Sequence, residues 1–153
     1  MSGGREILII EDNPADVRLL REALASLDPP ANVHVTSDGE QAVRFLRRED
    51  PYTAAPQPTL VFLDFNLPRI DSRELLKFIK REQQLRNVIV SVLTSSNSEE
   101  VIREAYDLKA NCYLSKPSDL DGFMHTIRSA AAYFLNVAAA HPEEESPETS
   151  PLL

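Results

Sequence analysis

Five short apolar runs recur along the chain, at Glu6–Ile10, Val33–Thr36, Thr59–Leu63, Asn87–Leu93 and Asn111–Leu114, and the stretches between them carry apolar residues at helical spacing. Strands separated by helix-length crossovers pair parallel, and parallel strands need both faces covered. Right-handed crossovers then leave few topologies. The expected fold is α/β, a doubly wound five-stranded parallel sheet with helices on both faces. Sites in such sheets lie outside the carboxyl ends of the strands, at a topological switch point. The residues that end each run therefore carry most of the functional information.

The intervening segments support this alternation. Asn13-Pro14-Ala15-Asp16 reads as a helix start, with Asn13 as N-cap, Pro14 at the first helical position and Asp16 at the positive end of the helix. Val17, Leu20, Leu24 and Leu27 continue that helix to Asp28-Pro29-Pro30, which stops it. Ala42, Val43, Phe45 and Leu46 mark a second helix, and Leu75, Leu76, Phe78 and Ile79 a third. Ser98 caps a fourth helix bearing Val101, Ile102, Ala105 and Leu108, and Leu120 to Val137 form a fifth. Glu49–Pro58 holds three prolines and reads as a loop. One domain over residues 5–137 is expected, with an acidic Pro/Ser-rich tail over 138–153 too polar to pack.

Composition excludes several function classes. The net charge of −8 opposes nonspecific nucleic-acid binding, which needs a basic face. Arg44, Arg47 and Arg48 fit a solvated helix face instead. No apolar stretch approaches the ~20 residues of a membrane span, and the opening MSGGREILII reads as a strand, not a signal peptide. The one cysteine, Cys112, cannot form an internal disulfide, which fits a cytoplasmic location, and it reads as a strand residue.

The strand ends bring together Glu11, Asp12, Asp64, Thr94 and Lys116. Gathered carboxylates repel one another unless a cation neutralises them. A divalent metal, Mg2+ or Mn2+, held by Glu11, Asp12, Asp64 and the backbone carbonyl of Asn66 suits oxygen donors of this kind. Asp64 ends the central run and is the candidate nucleophile, able to accept a phosphoryl group as an acyl phosphate. Lys116 would pair with the phosphoryl oxygens, and Thr94 would offer its hydroxyl. Ser95 and Ser96 keep the adjoining loop small, and a cis Lys116-Pro117 bond would aim the lysine inward.

The segments IIEDNPAD, VFLDFNLPRID, VLTSS and CYLSKP, in this order, resemble the receiver domains of two-component response regulators. Asp64 stands 30 residues before Thr94 and 52 before Lys116, intervals that also fit. The resemblance covers Arg5 to Val137. It implies the strand order 2-1-3-4-5, magnesium, and phosphotransfer from a sensor histidine kinase to Asp64. It further implies a switch in which Thr94 moves toward the phosphoryl group and Tyr113 turns inward, remodelling the face built from helix four, strand five and helix five. The family often has Asp-Gly where this chain has Asp71-Ser72, so the loop after Asp64 is expected to be reshaped.

No output domain follows the fifth helix, so a stand-alone receiver or a phosphorelay intermediate is expected. EDNPADVRLLREAL and YFLNV resemble the small regulators paired with bacterial phytochrome kinases. Phe123, Ile127, Phe134, Leu135 and Val137 exceed what one helix face needs for its own core, which favours a homodimer. Two alternatives compete. A phosphorylation-independent scaffold would require a broken site, and the five key residues are all present. An aspartate-nucleophile phosphatase would need a second acid two residues beyond Asp64, where Asn66 cannot act as general acid.

Overall fold

A computed structural model describes residues 5–67, 72–95, 98–116 and 119–140. The elements are β1 (Glu6–Ile10), α1 (Pro14–Ala25), β2 (Asn32–Thr36), α2 (Gly39–Arg47), β3 (Leu60–Asp64), α3 (Ser72–Arg81), β4 (Ile89–Thr94), α4 (Glu99–Asp107), β5 (Cys112–Ser115) and α5 (Leu120–Ala140), with a 3-10 turn at Gln83–Leu85. All strand pairings are parallel, in the order β2-β1-β3-β4-β5. The doubly wound expectation is met, with β1 and β3 at the switch in strand order.

Alternating side chains supply two cores. Leu8, Ile10, Val61, Leu63, Val90 and Val92 face α2, α3 and α4, where they meet Phe45, Leu75, Leu76, Ile79 and Ala105. Ile7, Ile9, Leu60, Phe62 and Leu93 face α1 and α5, where they meet Leu20, Leu24, Phe123, Ile127, Ala131 and Leu135. Each fully buried Leu, Ile or Phe contributes about 1.5–3 kcal/mol relative to exposure. In β1, β3 and β4, burial on both faces explains why the runs read as continuously apolar rather than alternating.

Strands β3 and β4 run one residue further toward the carboxyl edge than the apolar runs imply, taking in Asp64 and Thr94. Backbone pairing is the reason: Asp64 stands opposite Leu93 and Thr94 opposite Ser115, so the ladder continues into polar positions. Helix α5 reaches Ala140, three residues beyond the expected domain end. Asp71, Ser96, the Lys116-Pro117 bond and the tail from residue 141 onward lie outside the described residues.

Helix α1 starts as its sequence requires. The Asn13 side chain accepts the Ala15 and Asp16 N–H groups at 2.9 and 3.2 Å, with Pro14 next in the first turn. Asn13→Ala is expected to cost about 1 kcal/mol in urea unfolding. An unchanged midpoint would mean that the cap contributes nothing.

The five apolar α5 residues assigned to a dimer face divide differently in the structure. Phe123, Ile127 and Leu135 are buried in the α1/α5 core of a single copy. Together with Ala131 they recur every fourth residue and form one continuous inward ridge. Phe134 and Val137 are half-buried. The exposed large apolar side chains among the described residues are Tyr106, Leu120 and Tyr133, none of them among the five expected at a dimer face.

Candidate functional site

The candidate residues arrive at the same edge from four strands, Glu11 and Asp12 together after β1. Glu11 follows β1 and is held there by its N–H to the Thr36 carbonyl at 3.1 Å. Asp64 ends β3, and the next residue, Phe65, donates its N–H to Leu93 O at 2.9 Å. Thr94 ends β4 as a buried hydroxyl residue. Lys116 follows β5, anchored by its N–H to Thr94 O at 2.8 Å. The parallel register is what turns four distant chain positions into one crevice.

Glu11, Asp12 and Asp64 each offer a carboxylate oxygen within 4.8 Å of the others. Glu11 and Asp64 are 1% and 4% exposed, whereas Asp12 faces solvent. Three hard oxygen donors, one of them open to water, fit a divalent cation that keeps part of its hydration shell. The Asp64 Oδ1 already accepts the Asn66 N–H at 3.1 Å, which folds the start of the β3–α3 loop back over the carboxylate.

The Lys116 ammonium counters this charge. Its Nζ lies 2.9 Å from Glu11 Oε1, 3.0 Å from Asp16 Oδ2 and 3.8 Å from Asp64 Oδ1. Burial alone would lower the lysine's pKa, but the hydrogen bonds to Glu11 and Asp16 and the charges of Glu11 and Asp64 outweigh it, so Lys116 is held above its ordinary value. Glu11 is raised as well: burial, aided by the Asp64 charge and opposed by Lys116, pushes it up to about 7. At neutral pH this glutamate therefore sits between its charged and neutral forms.

Asp16, which its sequence position marks only as a helix-end acid, joins this network. The signal was present: it lies three residues after the Asn13 cap, so the first turn of α1 carries it over the end of β1. Tyr113 is half-buried on β5, opposite Val92 of β4. The serine that replaces the frequent family glycine is buried, and its hydroxyl donates to the Asp64 carbonyl at 2.7 Å while accepting the Leu67 N–H at 3.3 Å.

A doubly wound 2-1-3-4-5 sheet with an acidic cluster and a lysine at its carboxyl edge belongs to a recognisable class, and comparison with known proteins agrees. The profile of the response regulator receiver domain matches residues 7–128, and the chain belongs to that family of two-component signalling proteins. It is 36% identical over 129 residues to the response regulator Rcp1 of Synechocystis sp. (strain ATCC 27184 / PCC 6803 / Kazusa), covering 84% of this chain and 88% of that protein. Among solved structures, the phosphorylated cyanobacterial phytochrome response regulator RcpA superposes with a TM-score of 0.83 at 39% identity, covering 88% of this chain and 96% of that one. The Mn2+-bound form of Rcp1 gives 0.81 at 35% identity, covering 86% and 94%. The family assignment does not favour the phosphatase or scaffold alternatives. Among the described residues no helix is long and apolar enough to cross a membrane.

Proposed function

We propose that Asp64 accepts a phosphoryl group from the phosphohistidine of a sensor kinase. The observation that carries this reading is the meeting of three carboxylates within 4.8 Å with an ammonium 3.8 Å from Asp64. In the transfer, an Asp64 carboxylate oxygen attacks phosphorus, the P–N bond of the donor breaks, and its electron pair leaves with the imidazole. Glu11, Asp12, Asp64 and the Asn66 carbonyl would hold Mg2+ or Mn2+, which would supply the positive charge that lets one anion approach another. Lys116 keeps its proton throughout and transfers its pairing from the carboxylates to the phosphoryl oxygens. Hydrolysis of the acyl phosphate returns the Asp64 carboxylate and inorganic phosphate, so the product of the chemistry is a state of the protein itself.

The new dianion adds acceptor oxygens beside the Thr94 hydroxyl at the end of β4. Thr94 moving toward them vacates space behind it, which Tyr113 enters, and the α4–β5–α5 face changes shape. The likeness to RcpA and Rcp1 supports a bacteriophytochrome-type kinase as the phosphoryl donor. A downstream phosphorelay protein is a second partner of this reading.

Intact-mass measurement after incubation with Mg2+ and acetyl phosphate tests the chemistry, with a labile phosphoryl adduct as the expected result. No adduct with any small phosphoryl donor or kinase would overturn it. The same reading includes a homodimer through the α4–β5–α5 face; on its two helices Tyr106 of α4 and Leu120 and Tyr133 of α5 are 48%, 58% and 62% exposed. Sedimentation should show the dimer in at least one phosphorylation state. Monomers in both states at high concentration would exclude it.

A further inference from the structure

The Ser72 hydroxyl sits at the base of the loop that carries the proposed phosphoacceptor, and it touches two peptide groups there. It donates to the Asp64 carbonyl at 2.7 Å and accepts the Leu67 N–H at 3.3 Å. A trans peptide is planar, with its C=O and N–H pointing in opposite directions. The Asp64 carbonyl shares its plane with the Phe65 N–H, which points the other way to Leu93 O at 2.9 Å. The Leu67 N–H shares its plane with the Asn66 carbonyl. Holding that N–H on Ser72 therefore turns the Asn66 carbonyl away from α3.

We infer that Ser72 is a positioning residue that sets the affinity of the site for its cation by aiming the Asn66 carbonyl. The inference rests on the functional reading above, in which that carbonyl is a metal ligand. A glycine at this position, frequent in the family, has no group that could orient either peptide. The hydroxyl is buried and α3 begins at the same residue, so the brace is anchored in regular structure rather than in a free loop. Arg73, the next residue, adds a second fastening by laying its guanidinium over the Phe65 ring at 4.6 Å. The stretch from Asp64 to Leu67 is thus tied to α3 at both ends, and the hydroxyl is the group that fixes the tilt of those two peptides.

The test compares wild type with Ser72→Ala, which keeps the β-carbon, and Ser72→Gly, which restores the common family residue. Mn2+ titration by calorimetry should show affinity about fivefold weaker in both variants, the loss of one net hydrogen bond. In metal-free protein, exchange of the Leu67 amide should rise about tenfold in both, while amides in β1 and β3 stay protected. A role in stability alone would lower the melting temperature and leave the Mn2+ affinity of the folded protein unchanged, and that result overturns the inference. Unchanged Leu67 exchange overturns it as well. A wild type that binds no Mn2+ would instead remove the functional reading on which Ser72 depends.

Discussion

Asp64→Asn is expected to abolish the phosphoryl adduct formed with acetyl phosphate and Mg2+. The amide has nearly the shape of the carboxylate and can still accept the Asn66 N–H that Asp64 Oδ1 receives at 3.1 Å. The fold should therefore survive. What disappears is the nucleophile, because an amide oxygen carries no full charge and forms no stable acyl phosphate. One of the three clustered carboxylates is lost at the same time, so cation affinity should fall too. Lys116 remains paired with Glu11 and Asp16 at 2.9 and 3.0 Å. The informative readout is intact mass on a variant shown to be folded by circular dichroism. An adduct at wild-type level in that variant would place the acceptor on another residue.

The second large effect is a loss of stability with rising pH that metal relieves. Glu11 is raised from the ordinary 4.5 to about 7, principally by burial. The folded state then holds a proton that the unfolded chain releases, so this group's contribution is fully present below about 4.5 and is lost as pH rises through about 7. The difference sets an upper limit of order 3 kcal/mol. Lys116, raised above 10.5, contributes no slope in that interval, since it is charged in both states there. Metal-free protein in EDTA should accordingly unfold more easily at pH 8 than at pH 5. Mg2+ binds the deprotonated carboxylate, so it should remove most of that loss at pH 8 and bind progressively more weakly below pH 7. Urea titrations at both pH values, with EDTA and with Mg2+, separate these effects. A flat profile in EDTA would mean that Glu11 titrates as an ordinary carboxylate.

Much of this was legible because its causes are local. Continuous apolar runs with polar ends mark strands buried on both faces, and Asn13-Pro14 marks a helix start by chemistry confined to four residues. Asp64, Glu11, Asp12, Thr94 and Lys116 could be selected together because a parallel sheet puts every strand's carboxyl end on one edge. The α5 residues were less legible for the opposite reason. Apolar side chains on a 21-residue helix look alike in sequence, whichever of them faces inward. Only the packing of α5 against α1 shows that Phe123, Ile127 and Leu135 are consumed by the core and that Tyr133 and Leu120 are left outside.

By itself the sequence determined the class of fold, the strand ends and the residue types that meet there, since periodicity and end-of-strand chemistry are properties of short segments. Tertiary structure decided what those residues do to one another. The lysine at position 116 shares its charge among Glu11, Asp16 and Asp64 because helix α1 brings an unanticipated acid into reach. The serine at position 72, visible in sequence only as a missing glycine, proves to be a hydroxyl between two peptides. Both depend on distances between segments far apart in the chain or folded back on themselves, and such distances exist only after the sheet has set its register and the helices have closed over it.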